Sequence, residues 1–120
     1  MEYANNLSKT ILLADDDVTV RGLIKTLLEG AGYNVIEAYD GQDAVEKFAE
    51  NQEKIRLLVL DIMMPRKNGK DAYDDISKLK PGIKALFVSG FAGDAITHTE
   101  ILEKPFKAGV LLSRLDGMLN

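Results

Sequence analysis

The sequence predicts an α/β fold in which a single doubly wound sheet of five parallel strands carries helices on both faces. Short apolar runs alternate five times with segments in which apolar residues recur at helical spacing. These apolar runs are unbroken, which is typical of strands that are buried on both faces. The chain has 120 residues, a length that suits one domain. We therefore expect a parallel sheet covered by helices.

The first two strand–helix units follow a polar lead-in over residues 1–9, and we assign residues 10–120 to the single domain. Strands are predicted at Thr10–Ala14 and Asn34–Ala38, and Asp40 can cap the second helix. The first helix is predicted from the apolar residues Val20, Leu23, Ile24, Leu27 and Leu28, which Gly30 and Gly32 follow as stop signals. The predicted buried face of the second helix is Ala44, Val45, Phe48 and Ala49.

The other three strands are predicted at Leu57–Leu60, Ala85–Val88 and Ile101–Leu102. Asn68 can cap the third helix, and Pro81 ends it. That helix is predicted to carry Ala72, Tyr73, Ile76 and Leu79. The last helix closes the chain with Val110, Leu111, Leu112, Leu115, Met118 and Leu119.

The composition excludes several classes of site. The absence of cysteine removes disulfides, thiol nucleophiles and cysteine-bound metals, and a single histidine removes multi-histidine metal sites. The net charge of −4, from 15 basic and 19 acidic residues, argues against direct binding of nucleic acid. The longest apolar runs are too short to span a bilayer. We therefore expect no membrane insertion and a cytoplasmic location.

Polar residues follow the predicted strands where each strand ends. These residues are Asp15, Asp16 and Asp17, Tyr39 and Asp40, Asp61, Ser89, and Lys104. Because parallel strands end at one edge of the sheet, we expect several carboxylates, a hydroxyl and an ammonium group to converge. Clustered carboxylates stay ionised together when a cation neutralises them, and all-oxygen ligands favour Mg²⁺. Such a site suits a phosphoryl group, and an aspartate in it can act as the nucleophile.

Four motifs at these strand ends resemble the receiver domain of two-component response regulators. They are ILLADDD at 11–17, LLVLDIMMPRKNG at 57–69, FVSG at 87–90 and EKPF at 103–106. The resemblance implies the flavodoxin-like strand order 2-1-3-4-5. It also implies a phosphorylation-controlled signalling module whose partner is a histidine kinase or a histidine phosphotransfer protein.

The resemblance implies a role for each acidic residue of the site. Asp61 is expected to accept the phosphoryl group, with Mg²⁺ as the cofactor. Asp15 and Asp16 are expected to hold the ion together with Asp61 and the main-chain carbonyl of Met63.

The resemblance assigns the switch to the last two strands. The Ser89 hydroxyl is expected to move to a phosphoryl oxygen, and Lys104 to pair with the acceptor and then with the phosphate. The peptide bond before Pro105 is expected to be cis. The family's switch aromatic lies three residues before the lysine, where this chain has Ile101, so we expect no switching by an aromatic rotamer.

Two further departures from the family pattern carry expectations. The interval from Ser89 to Lys104 is 104 − 89 = 15 positions, shorter than in most receivers, which predicts a shortened fourth helix. Met63 and Phe91 lie at the positions that flank the approach of water to the phosphoryl group. Because both side chains are large and apolar, we expect slow self-dephosphorylation.

Two alternatives stay open at this point. The pattern Asp15-x-Asp17-x-Thr19 after an apolar strand also fits a small Mg²⁺-dependent phosphatase of the haloacid-dehalogenase type, although Asp17 by itself is typical of a helix cap. A degenerate receiver that only binds other proteins is the second alternative. The leading hypothesis is a module without turnover on an external substrate. It would be either a stand-alone receiver or a piece of a larger regulator or hybrid sensor histidine kinase.

Overall fold

The computed structural model of the chain describes residues 9–90 and 100–119. Within these residues, strands and helices follow one another in the predicted sequence. The elements are β1 Thr10–Ala14, α1 Val18–Gly30, β2 Asn34–Ala38, α2 Gly41–Glu50, β3 Ile55–Asp61, α3 Gly69–Leu79, β4 Lys84–Ser89, β5 Glu100–Glu103 and α4 Ala108–Leu119.

The five strands form one parallel sheet in the order β2-β1-β3-β4-β5. This arrangement confirms the predicted fold class and strand order. β1 and β3 lie in the interior of the sheet, which explains why their sequences are apolar without alternation. Ala14 pairs with Leu60 across these two strands, so the residues that follow them lie level at the carboxyl edge.

Each face of the sheet carries its own apolar core. Alternate residues of a strand point to opposite faces, so neighbours such as Leu12 and Leu13 pack into different cores. One core includes Phe48 of α2 and Ile76 of α3. The other includes residues of α1 and α4, namely Ile24, Leu28, Leu111 and Leu115. Helices on both faces are the doubly wound arrangement that the sequence predicts.

Three helices begin at the polar caps that the sequence predicts. The side chains of Asp17, Asp40 and Asn68 accept hydrogen bonds from main-chain N–H groups in the first turns of α1, α2 and α3. After α1 the chain turns at Gly32, and after α3 it turns at Gly82. Both glycines have positive φ angles, of 96° and 88°.

The predicted buried face of α2 is wrong at Ala49, and apolar residues of other predicted helices are exposed as well. Leu23 on α1 is 62% exposed, Leu79 on α3 is 43% exposed, and Ala49 on α2 is also exposed. In α1 the pattern contains adjacent apolar pairs, and only one residue of each pair faces the sheet squarely, so Ile24 is buried while Leu23 faces solvent. Ala49 follows the buried Phe48 in the same way.

Some predictions fall on residues that the structure does not describe. The prediction of a shortened helix between the fourth and fifth strands falls on residues 91–99, and the prediction for Phe91 falls on the same segment. Most of the polar lead-in, residues 1–8, also lies outside the described part of the chain. Among the described helices, none combines the length and apolar character that crossing a membrane requires.

Candidate functional site

Three carboxylates meet at the carboxyl edge of the sheet. Asp15 and Asp16 follow β1, and Asp61 ends the adjacent strand β3. One carboxylate oxygen from each of the three residues lies within 4.8 Å of the others. Asp15 and Asp61 are buried, whereas Asp16 is exposed. The structure therefore brings together the three acids that the sequence selects, with an open side towards solvent.

Lys104 supplies a positive charge to this cluster from the end of β5. Its Nζ lies 3.1 Å from Oδ2 of Asp15 and 3.3 Å from Oδ2 of Asp61, so it bridges the two buried carboxylates. The Lys104 main-chain N–H donates to the Ser89 carbonyl oxygen at 2.6 Å, which joins the ends of β4 and β5. The peptide bond between Lys104 and Pro105 is cis.

The loop after β3 folds back over Asp61. The Met63 N–H donates to Oδ1 of Asp61 at 3.2 Å, and the Gly69 N–H donates to the carbonyl oxygen of Ile62 at 2.9 Å. A Cβ atom at position 69 would overlap the Asp61 carbonyl oxygen, so this close approach requires glycine. The Met63 side chain is 59% exposed at the mouth of the site.

The cluster carries more negative charge than Lys104 balances. Burial, followed by the nearby charge of Asp15, raises the pKa of Asp61 to about 6, even though Lys104 and the Met63 N–H act in the opposite direction. Burial lowers the pKa of Lys104, but the hydrogen bond to Asp15 and the charges of Asp15 and Asp61 outweigh it and raise that pKa overall. An all-oxygen donor set with unbalanced negative charge fits a hard divalent cation such as Mg²⁺.

Ser89 ends β4, and Ile101 lies within β5. Val88 pairs with Asp61, so Ser89 lies one position further along β4, and it is buried. Ile101 on β5 pairs with Phe87 and packs, half-buried, against the core that includes Phe87. The main chain of Met63 contacts Asp61 through its N–H group. The role of the Met63 carbonyl as a metal ligand stays a prediction.

Asp17 has a structural use. Its Oδ1 accepts hydrogen bonds from the N–H groups of Thr19 and Val20 at 2.9 and 3.1 Å, which caps α1. This is the capping role that the sequence indicates for Asp17. The second carboxylate that the phosphatase alternative needs is therefore engaged at a helix terminus.

Sequence reasoning missed Arg21, whose side chain is close to the acidic loop. Its Nη1 donates to the Asp15 carbonyl oxygen at 2.8 Å, and its Nε donates to Oε1 of Glu37 at 3.3 Å. A basic residue in the first turn of the helix that follows the acidic run is the signal that was available.

Sequence reasoning also missed a second contact, between Arg66 and Asp40. The guanidinium of Arg66 makes two hydrogen bonds, of 2.6 and 3.1 Å, to the buried Asp40 carboxylate, and it lies over the Tyr39 ring. The Arg66 hydrogen bond holds the pKa of Asp40 below its ordinary value. Arg66 has a positive φ of 64°, so this contact joins a left-handed turn of the β3–α3 loop to the start of α2.

Comparisons with known proteins match the chain to response regulators. The family model described as the response regulator receiver domain matches residues 11–116. The chain is similar to the response regulator receiver protein CpdR of Brucella abortus, with 35% identity over 118 residues that cover 92% of this chain and 97% of CpdR. It is 36% identical over 117 residues to the response regulator RR06 of Streptococcus pneumoniae, covering 91% of this chain and 52% of RR06.

A solved structure gives the same result for the fold. The crystal structure of the receiver domain from the hybrid histidine kinase CckA superposes with a TM-score of 0.84 at 31% sequence identity. The match covers 92% of this chain and 99% of that structure. The chain therefore spans nearly all of CpdR and about half of RR06.

Proposed function

Since the chain belongs to the response regulator receiver domain family of two-component phosphorelay signalling, we propose that Asp61 accepts a phosphoryl group from a histidine kinase or a histidine phosphotransfer protein. The observation that carries the proposal is the position of Asp61. Its carboxylate is buried beside Asp15 and contacts Lys104. The third acid of the cluster, Asp16, is exposed to solvent.

In this proposal the protein holds Mg²⁺ between its three carboxylates. Asp15, Asp16 and Asp61 supply side-chain oxygens, and Met63 supplies its main-chain carbonyl. When bound, the ion would neutralise the carboxylates and supply positive charge to the oxygens of the phosphoryl group. The pKa of Asp61 is consistent with this assignment, because burial first and the nearby charge of Asp15 second raise it, so the site without a cation disfavours the charged carboxylate.

The transfer itself is a displacement at phosphorus. A carboxylate oxygen of Asp61 forms a bond to phosphorus while the bond between phosphorus and the donor imidazole nitrogen breaks, and the electron pair of that bond leaves with the imidazole. The Lys104 ammonium contacts Asp61 Oδ2 before transfer and can then pair with phosphoryl oxygens. The buried Ser89 hydroxyl is proposed to move towards the same oxygens.

The proposed module has no turnover on an external substrate, because its site acts on its own Asp61. Phosphorylation shifts the population towards an arrangement in which Ser89 and Lys104 are drawn inward. Because the chain spans about half of RR06 and nearly all of CpdR, both a stand-alone receiver and part of a larger regulator or hybrid kinase fit the proposal.

The phosphatase alternative loses its support from Asp17, which caps α1. The family match also falls on response regulators. One experiment separates the two functions: incubation with acetyl phosphate and MgCl₂, followed by intact-mass and peptide mass spectrometry. We expect one phosphoryl group on Asp61 in the parent and none in Asp61→Asn.

Asp17→Asn is the matched control, since asparagine also caps helices. This variant is expected to be phosphorylated like the parent. An unmodified parent, or full modification in Asp61→Asn, contradicts the assignment of the phospho-acceptor. Steady Mg²⁺-dependent hydrolysis of a phosphomonoester that Asp17→Asn abolishes would favour the phosphatase.

A further inference from the structure

One guanidinium group ties the acidic loop to the neighbouring strand. Arg21 lies in the first turn of α1, and its side chain is only 17% exposed. It donates to the Asp15 carbonyl oxygen in the loop after β1 and to the Glu37 carboxylate on β2. Three consecutive parts of the chain, namely the acidic loop, α1 and β2, are therefore joined at Arg21.

The Asp15 carbonyl matters because of the residue that follows it. This carbonyl belongs to the planar peptide group that leads into Asp16, so holding the oxygen fixes the orientation of that peptide plane. The next peptide group is also held, because the Asp17 N–H donates to Oδ1 of Asp15 at 2.9 Å. Both peptide groups that flank the exposed Asp16 are thereby fixed, and with them the direction in which its side chain leaves the backbone.

The other polar atoms of Asp15 already have partners. Its N–H donates to the Ala38 carbonyl oxygen at 3.2 Å, and its Oδ2 accepts from Lys104. Arg21 provides the contact to the carbonyl oxygen of this buried residue. Replacing Arg21 would remove this contact and with it one of the two restraints on the peptide groups that flank Asp16.

We propose that Arg21 is a positioning residue for the metal site, which orients Asp16 for cation binding by holding the Asp15–Asp16 peptide group, while Glu37 orients the guanidinium. The proposal rests on the proposed function, in which Asp15, Asp16 and Asp61 hold Mg²⁺. Arg21 itself does not touch the ion or the phosphoryl group.

Electrostatics and positioning predict opposite results when Arg21 is replaced. Removing a positive charge that contacts the acidic loop strengthens the binding of a dication by Coulomb's law. Removing a group that orients a ligand weakens it, typically by about tenfold or more. The sign of the change in Mg²⁺ affinity therefore separates a positioning role from a simple charge effect.

The test titrates the full chain with MgCl₂ by isothermal titration calorimetry, with the Asp16 amide signal followed by ¹⁵N NMR. We expect Arg21→Gln to bind Mg²⁺ about tenfold more weakly than the parent and to shift the Asp16 amide signal before Mg²⁺ is added. Lys25→Gln is the matched control, because it removes the same charge from α1 and its ion pairs are with Glu29 and Glu37. This control is expected to bind Mg²⁺ as tightly as the parent, or more tightly.

Urea unfolding without Mg²⁺ shows whether Arg21→Gln is folded. A second pair of variants tests the proposal independently of that result. Glu37→Ala removes the partner that orients Arg21, whereas Glu29→Ala removes the same charge from the end of α1. We expect Glu37→Ala to weaken Mg²⁺ binding more than Glu29→Ala does, and less than Arg21→Gln does.

Equal or tighter Mg²⁺ binding by a folded Arg21→Gln overturns the positioning role alone. If that variant is unfolded, equal Mg²⁺ affinities of Glu37→Ala and Glu29→Ala overturn it instead. A parent that binds no Mg²⁺ overturns both this role and the proposed metal site. A parent that binds Mg²⁺ with the expected order of variants, yet leaves Asp61 unmodified by acetyl phosphate, overturns the phospho-acceptor and supports the role of Arg21.

Discussion

At the scale of single residues, Asp61 combines burial with a neighbouring carboxylate. Both effects disfavour its charged form, and they raise its pKa from the ordinary 3.8 of an aspartate to about 6. The folded protein therefore binds more protons than the unfolded chain between these two values. The contribution of Asp61 to stability is largest at low pH, and it is lost as the pH rises from about 4 to about 6.

Asp61→Asn is expected to stabilise the metal-free protein at neutral pH. The amide removes a charge that folding takes out of water, so the free energy of unfolding should rise by about 1–2 kcal/mol at pH 7. At about pH 3.5, where Asp61 is protonated in the folded state, the gain should disappear. Urea unfolding in EDTA at both pH values measures this. A variant that is less stable than the parent at pH 7 contradicts the prediction.

Met63 is the exposed apolar residue nearest in sequence to the acceptor. The sequence predicts that Met63 and Phe91 flank the approach of water to the phosphoryl group, and the Met63 side chain is 59% exposed. We expect the double substitution Met63→Asn and Phe91→Glu to shorten the lifetime of phosphorylated Asp61. Loss of the phosphoryl group over time, followed by mass spectrometry, measures this. The double substitution Leu23→Asn and Leu79→Glu, at two other exposed apolar residues, is the control. An unchanged lifetime of phosphorylated Asp61 in the Met63→Asn and Phe91→Glu variant contradicts the prediction.

At the scale of elements, the loop between β3 and α3 is tied to the start of α2. Arg66 pairs with Asp40, the N-cap of α2. The backbone of Lys67 lies so close to Gly41 that a Cβ at position 41 would overlap the Lys67 carbonyl oxygen. The loop between β3 and α3 is thus packed on a neighbouring helix as well as on Asp61.

Two glycine substitutions test this packing as a matched pair. Gly41→Ala is expected to destabilise the fold by about 1–3 kcal/mol, because the methyl group meets backbone atoms that cannot move alone. Gly22→Ala, in an open position on α1, is expected to stabilise it by about 1 kcal/mol through helix propensity. Denaturant unfolding gives both values. Equal effects of the two substitutions would mean that α2 does not approach the loop this closely.

At the scale of the whole molecule, charged side chains lie at one edge of the sheet, and an apolar core covers each of its faces. The strands and helices bury the apolar residues, and the carboxyl edge concentrates part of the net charge of −4. A cation bound there interacts mainly with the folded chain, because Asp61 lies far along the sequence from Asp15 and Asp16 and separates from them on unfolding.

Mg²⁺ is therefore expected to raise the melting temperature of the protein. At a free concentration of about 100 times the dissociation constant, the gain in stability is about 2.7 kcal/mol. The gain should be larger at pH 7 than at pH 5, because below pH 6 protons compete with the ion for Asp61. Differential scanning calorimetry in MgCl₂ measures the melting temperature at both pH values, and NaCl of equal ionic strength is the control. No dependence on Mg²⁺ at pH 7 would contradict the metal site.

Features that depend on a short stretch of chain were predicted correctly, whereas the rotation of a helix on the sheet was not. Strands β1 and β2 have the predicted bounds, and the caps Asp17, Asp40 and Asn68 act as predicted. These features depend on short stretches of chain, in which apolar runs and capping residues carry the information. The exposure of Leu23 was not predicted, because helical spacing alone does not show how the helix is rotated on the sheet.

The sequence by itself determined the order of the elements, the doubly wound sheet and the convergence of Asp15, Asp16, Asp61 and Lys104, since parallel strands must end at one edge. Only the tertiary structure decided which charges meet across longer distances in the chain. The pairs of Arg21 with Glu37 and of Arg66 with Asp40 join residues 16 and 26 positions apart. Their contacts depend on strand register and on loop conformation, which no local pattern in the sequence specifies.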